Sequence, residues 1–369
     1  MEAKIATKRT RESGVEILKI IAIFLICISH AVQTAGDFID YATPSLDIQM
    51  LALQVLSYTG MIGNTIFVVC SAYFLFGSNK TKWDKVFNLL LDSTLISIAC
   101  LIGMVIGGYR FGVAETIKQF VPDLFSQMWF VPFYVMLYIA HPILNAGIEK
   151  MNNRTYLSLI VVLFLSFFAM TFLLPVPETC NLVYAFVIYL FVGYFRKFHQ
   201  SACDNRKFNA WLFAIGFGLF LILAIGKYLL GTQFAFFVKR PFVYYTVSPF
   251  IAVSAFGLMN LFRGLNVHSK AINFVSSCSL FVYCIHENYL LRTYIRPKVY
   301  EWCIDTFGAN IAIAWILVTA LAMFVGGLLL SFVYKETLHR LTAWVSKLLS
   351  GLLDGFVGWL DKKTTKNAD

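Results

Sequence analysis

Runs of about 18 or more apolar residues recur along this chain, and each is long enough to cross a bilayer as a helix. In lipid every backbone N–H and C=O must be paired within the protein, so repeated runs of this kind specify a bundle of membrane-spanning helices. The chain is read as an all-α integral membrane protein. Ten spans are predicted: 15–33, 51–76, 86–108, 128–147, 156–174, 180–195, 209–230, 241–262, 274–291 and 309–334. The second is long enough to tilt or break and contains Gly60 and Gly63. The sixth is short.

Charge supports this class and its orientation. Of the 369 residues 59% are hydrophobic and only 14% charged, whereas soluble chains carry roughly a quarter charged residues. The formal net charge of +10 would suit a nucleic-acid partner, but Lys and Arg also gather in cytoplasmic loops of membrane proteins. With the N-terminus inside, the inner segments carry Lys4, Lys8, Arg9, Arg11, Lys80, Lys82, Lys85, Lys150, Arg154, Arg196, Lys197, Arg206, Lys207, Arg263 and Lys270. The outer loops carry fewer: Arg110, Lys118, Lys239, Arg240, Arg292, Arg296 and Lys298. An even number of spans with both termini cytoplasmic fits the positive-inside rule, and no nucleic-acid partner is expected. The basic front, "MEAKIATKRTRESG", resembles a secretory signal, but no A-x-A site follows and the apolar run is long, so it reads as an uncleaved first span.

The domain reading is one ten-helix unit, 1–334, then a cytoplasmic amphipathic helix, 335–361, and a polar tail, 362–369. In the second segment Leu338, Leu341, Val345, Leu348 and Leu352 repeat at helical spacing, with His339, Lys347 and Asp354 off that stripe, the pattern of a helix lying on the inner membrane surface. Cys27, Cys70, Cys100, Cys278 and Cys284 fall inside apolar runs and read as small hydrophobes. Cys180 and Cys303 fall near outer ends, where a bridge is one reading.

Ionisable groups inside spans carry the functional information. In "LKIIAIFLICISH" Lys19 and His30 are 11 residues apart, about three turns and roughly 16 Å along one helix face. Lys19 is near enough to the inner end to reach the interface by snorkelling, so it carries two readings. His30 lies in the outer half of its span and has no such route. His286, in "SSCSLFVYCIHEN", is predicted at similar depth, with Glu287, Asn288 and Arg292 after it. Two histidines with a carboxylate nearby suit a general-base site; a pair of satisfied core histidines beside interfacial charges is the plainer reading. Asp92 and His141 lie nearer the inner side and are assigned no chemistry. Trp129 and Trp302 read as interface aromatics. No G-x-x-x-x-G-K-[ST] loop, G-x-S-x-G elbow, C-x-x-C pair or H-E-x-x-H motif occurs, and no metal is expected.

The stretch "VEILKIIAIFLICISH" resembles the opening of the acyltransferase 3 family, membrane O-acyltransferases of bacterial surface-glycan modification. "NTIFVVCSAYFLF", "MWFVPFYVMLYIAHPILN", "CSLFVYCIHEN" and the ten-span count fit the same picture in order, over about residues 11 to 334. The resemblance implies transfer of an acyl group, usually acetyl from cytoplasmic acetyl-CoA, to a hydroxyl of a surface glycan such as an exopolysaccharide or of a lipid-linked sugar, in the cell membrane. Relatives usually have arginine where this chain has Lys19, which keeps the charge and loses the bidentate fork. They often have glycine where this chain has Ala72. On this reading His30 is the catalytic base or acyl carrier, and Lys19, His286, Glu287 and Asn288 contact substrate or acyl-CoA. The competing class is an exporter or flippase of a glycan or lipid-linked sugar, since ten spans, a broken helix and buried ionisable groups suit transport as well.

Overall fold

The computed structural model describes residues 13–125, 128–173, 180–238 and 248–365. Every regular element among them is helical. In chain order the α-helices are α1 (Ser13–Ala35), α2 (Ile48–Ser57), α3 (Thr59–Leu75), α4 (Trp83–Ile106), α5 (Val113–Phe120), α6 (Phe130–Lys150), α7 (Asn153–Leu173), α8 (Cys180–Phe198) and α9 (Gln200–Asp204). They continue with α10 (Arg206–Gly231), α11 (Ala235–Val238), α12 (Pro249–Arg263), α13 (Lys270–Ser277), α14 (Ser279–His286), α15 (Arg296–Phe307), α16 (Ala312–Glu336) and α17 (Leu338–Thr365). Helices stand at all ten predicted positions. Among the described residues six have the length and composition to cross a membrane: α1, α2 with α3, α4, α6, α10, and α16 with its leading turn. The basic residues before Ser13, the pair Lys239 and Arg240, and the start of the eighth predicted span lie outside the described residues.

The first helix is the hub. It is largely apolar, and Leu18, Ala22, Ile23, Ile26, Cys27, Ala31, Val32 and Ala35 are all at most 2% exposed. It packs against α2, α3, α12, α13, α14, α15 and α16. Two glycines allow the closest of these approaches. A Cβ on Gly63 would sit 2.4 Å from the Ala22 carbonyl oxygen, and one on Gly60 would sit 2.7 Å from Ser29 Oγ.

Two predicted spans are broken, and in each a side chain binds a carbonyl at a helix end. The second divides at Tyr58, between α2 and α3. There Ser29 donates to the Ser57 carbonyl at 2.5 Å, and Thr59 ties back to Leu25 O at 2.9 Å. The break is therefore at Tyr58, while Gly60 and Gly63 serve helix contact. The ninth divides at Cys278 and its helix stops at His286, short of the expected residue 291. The guanidinium of Arg296 donates to the His286 carbonyl, a cation on a buried oxygen at the end of the helix. Asn288 Oδ1 accepts from the Leu290 amide at 3.0 Å.

Local chemistry also accounts for His141. Pro142, inside α6, has no N–H for the carbonyl four residues earlier. That carbonyl, on Tyr138, receives the His141 imidazole instead.

The amphipathic segment is one long helix, α17, but it meets the bundle through polar residues. Thr342 and Ser346 are buried, while Leu341, Leu348 and Leu352 of the apolar stripe are exposed. The buried Asp92 of α4 sets this orientation by accepting from Thr342 Oγ1 at 2.6 Å, Tyr334 Oη at 2.6 Å and His339 Nδ1 at 3.0 Å. Cys303 is free and buried.

Candidate active site

Three of the five residues proposed from sequence converge where α1 meets the end of α14. His30 Nδ1 lies 2.9 Å from His286 Nε2 and 3.1 Å from Glu287 Oε1. Glu287, 6% exposed, is not an interfacial residue. Arg296 Nη2 donates to its Oε1 at 2.9 Å and Arg292 Nη1 to its Oε2 at 3.3 Å. A carboxylate taken out of water needs such compensation, and two guanidinium groups supply it.

The hydrogen-bond network assigns the protons. The Val282 carbonyl, which only accepts, lies 2.7 Å from His286 Nδ1, so this nitrogen carries hydrogen. In a neutral ring Nε2 is then an acceptor. It can receive hydrogen only from His30 Nδ1, which also faces the Glu287 carboxylate. His30 therefore holds its proton on Nδ1 and leaves Nε2 as a lone pair, with no partner for that atom among the described residues. Its ring is held from behind by a carboxylate and a second imidazole, the arrangement of an oriented general base. When Nε2 takes a proton, Glu287 stabilises the resulting imidazolium.

Arg296 was counted from sequence as an outer-loop charge. It is 8% exposed and ties three groups together: Glu287, the His286 carbonyl and Thr34 Oγ1, the last at 3.4 Å. Thr34 in turn donates to the His30 carbonyl at 3.0 Å. Its only sequence signal was a run of basic residues just after "CIHEN".

Asn288 turns away from the histidines. Its amide nitrogen reaches Ser97 Oγ and Gln119 Oε1, both at 3.3 Å, where it fastens α4 and α5 to the end of α14. The ligand atoms of His30, His286 and Glu287 lie within 4.8 Å of one another, close enough to surround a cation. Against that use, the carboxylate already holds two guanidinium groups, and the two ring nitrogens share a proton.

Lys19 sits at the other end of the same α1 stripe. Its Nζ is 3.3 Å from Glu16 Oε1, so it is engaged within the protein. Lys19, Ile23 and Ile26 line a cavity of about 290 Å³ that also meets Ser71, Ser276 and Tyr283. His30 is the next residue on that stripe, one turn beyond Ile26, and the Tyr283 ring is 5.9 Å from that of His286. The lining therefore runs from the lysine to Ile26 and Tyr283, the neighbours of the histidine pair, and does not include either histidine.

The family model described as "Acyltransferase domain" (Acyl_transf_3) matches residues 12–356. No curated protein and no solved structure matches the chain. The matched segment takes in the α1 stripe, the histidine pair, Arg296 and most of α17, and the chain belongs to the acyltransferase 3 family.

Proposed function

We propose that this membrane acyltransferase moves an acyl group, acetyl by preference, from cytoplasmic acyl-CoA to a hydroxyl of a surface glycan or lipid-linked sugar. The cell membrane holds it, with ten spans and both termini in the cytoplasm. The observation that carries this reading is His30, braced by His286 and Glu287, one turn beyond Ile26 on the α1 stripe that lines a cavity from Lys19 to Ile26.

The thioester arm enters from the Lys19 end and brings its carbonyl carbon toward His30. His30 Nε2 takes the proton of the acceptor hydroxyl as the oxygen attacks that carbon. The C–O bond forms, the C–S bond breaks, and the imidazolium returns its proton to the departing CoA thiolate. His286 and Glu287 keep the ring in the tautomer this requires. Lys19, already neutralised by Glu16, acts at the mouth of the arm channel.

Purified protein in lipid nanodiscs, supplied with acetyl-CoA labelled in the acetyl group and with candidate glycans, tests the reading. Label on the glycan supports it. In sealed vesicles, movement of unmodified glycan without labelling would instead identify an exporter.

A further inference from the structure

A second cavity, of about 350 Å³, opens beside the first, walled by α4, α13, α14, α16 and α17. The two share Leu89, Ser277 and Leu280. Its charged lining is Lys85, Lys335, Lys347 and His339 against Asp84 and Asp92. Asp92 is already committed, accepting from Tyr334, Thr342 and His339 and also from Asn88 Nδ2 at 2.8 Å. That leaves three ammonium groups facing Asp84 alone, an excess of positive charge. Lys335 Nζ is steered inward by a hydrogen bond to Ser277 Oγ. Asn88 Oδ1 is buried with no partner among the described residues, an acceptor suited to a ribose hydroxyl or an exocyclic amine. Polyanions with hydrogen-bonding heads fit such a lining.

We infer that this cavity holds the phosphorylated nucleotide of acyl-CoA, with Lys335 and Lys347 on its phosphates, and that α17 is part of the donor site. The inference rests on the acyl-CoA reading above and adds where the nucleotide lies. The shared residues place its arm at once in the first cavity, so one ligand spans both: phosphates among the lysines, thioester below His30. The same cations would also suit the phosphate of an anionic lipid, and the test separates the two.

CoA, 3′-dephospho-CoA and pantetheine are titrated against the full-length protein in phosphatidylcholine nanodiscs, by competition with labelled acetyl-CoA. Lys347→Ala, on an exposed helix surface, and Lys335→Ala should each weaken CoA by about five- to tenfold, the effect of losing one charge-assisted contact. Pantetheine should change less than about twofold, and Lys347→Arg should recover most CoA affinity. CoA binding unchanged in both alanine variants overturns the inference, as does an equal loss for pantetheine. Repeating the work in phosphatidylglycerol nanodiscs with native mass spectrometry covers the lipid source: lipid lost from the variants at unchanged CoA affinity also overturns it. If the wild-type protein binds no CoA, the acyl-CoA reading itself fails, and the nucleotide site with it.

Discussion

His30 Nδ1 lies 2.9 Å from His286 Nε2, although 256 residues separate them in the chain. That contact exists because α14 ends at His286 and Arg296 holds its last carbonyl. On the proposed mechanism His30 is the base, and His286, Glu287 and Arg296 orient its ring.

Arg296 is the first test of this. It and Glu287 are both nearly out of solvent, and removing one member of a buried pair strands the other charge. Arg296→Ala should cost about 3–5 kcal/mol of stability, read as a large fall in detergent Tm. Arg292 bonds the same carboxylate but its side chain is 45% exposed, so Arg292→Ala should cost less than about 1 kcal/mol. Equal effects would contradict the network. Arg296→Lys should not restore the wild type, because one ammonium cannot reproduce the fork.

Gly63 tests the seat of the first helix. Any Cβ there meets the Ala22 backbone oxygen at 2.4 Å, and backbone cannot step aside as a side chain can. Gly63→Ala should destabilise by about 1–3 kcal/mol and also depress transfer, since α1 carries both Lys19 and His30. The control is Gly218→Ala, where a Cβ meets nothing within 4 Å and Tm should hold.

Asp123, in the turn Pro122–Phe125 before α6, gives a pH signature. Burial pushes its carboxyl up to about 6 from an ordinary 3.8, against a hydrogen bond from Ser93 that pulls it down. A carboxyl raised in the folded state favours folding most when protonated. Its contribution is full below about pH 3.8 and is lost as pH rises through about 6. Thermal melts between pH 4 and 7 should show that decline in the wild type and a flatter profile in Asp123→Asn.

Asp92 holds α17 to the bundle. Asp92→Ala leaves the Tyr334, Thr342 and His339 donors without their acceptor, at about 1–3 kcal/mol for each buried group stranded. Trypsin should then cut α17 faster at Lys347 and Lys362 while the remaining helices resist. A cleavage rate equal to wild type would contradict the anchoring role.

Much of this was legible in the sequence, for a physical reason. Apolar length favours a helix whatever its neighbours, so helices stand at all ten expected positions, and among the described residues six of them are long and apolar enough to cross a membrane. An imidazole or carboxylate inside such a run stands out, and His30, His286 and Glu287 were found that way. A break in the second span was expected but its place at Tyr58, and the break at Cys278, were not, because neither is at Pro or Gly; the bonds from Ser29 at Tyr58 and from Arg296 at the end of α14 come from residues distant in sequence or beyond the helix end. Arg296 itself read as topology charge, since nothing local shows that its segment folds back onto Glu287. The bundle-facing contact of α17 could not be read for the same reason: the partner that draws Thr342 inward, Asp92, is 250 residues earlier.

The central claim is that His30 takes the acceptor proton. Single-turnover transfer from labelled acetyl-CoA, with wild type, His30→Ala and His286→Ala in nanodiscs, measures it directly. His30→Ala should slow transfer by about 10²–10⁴-fold, the span of a general base, with CoA affinity retained, and His286→Ala should slow it less. Transfer at the wild-type rate by His30→Ala would contradict the account.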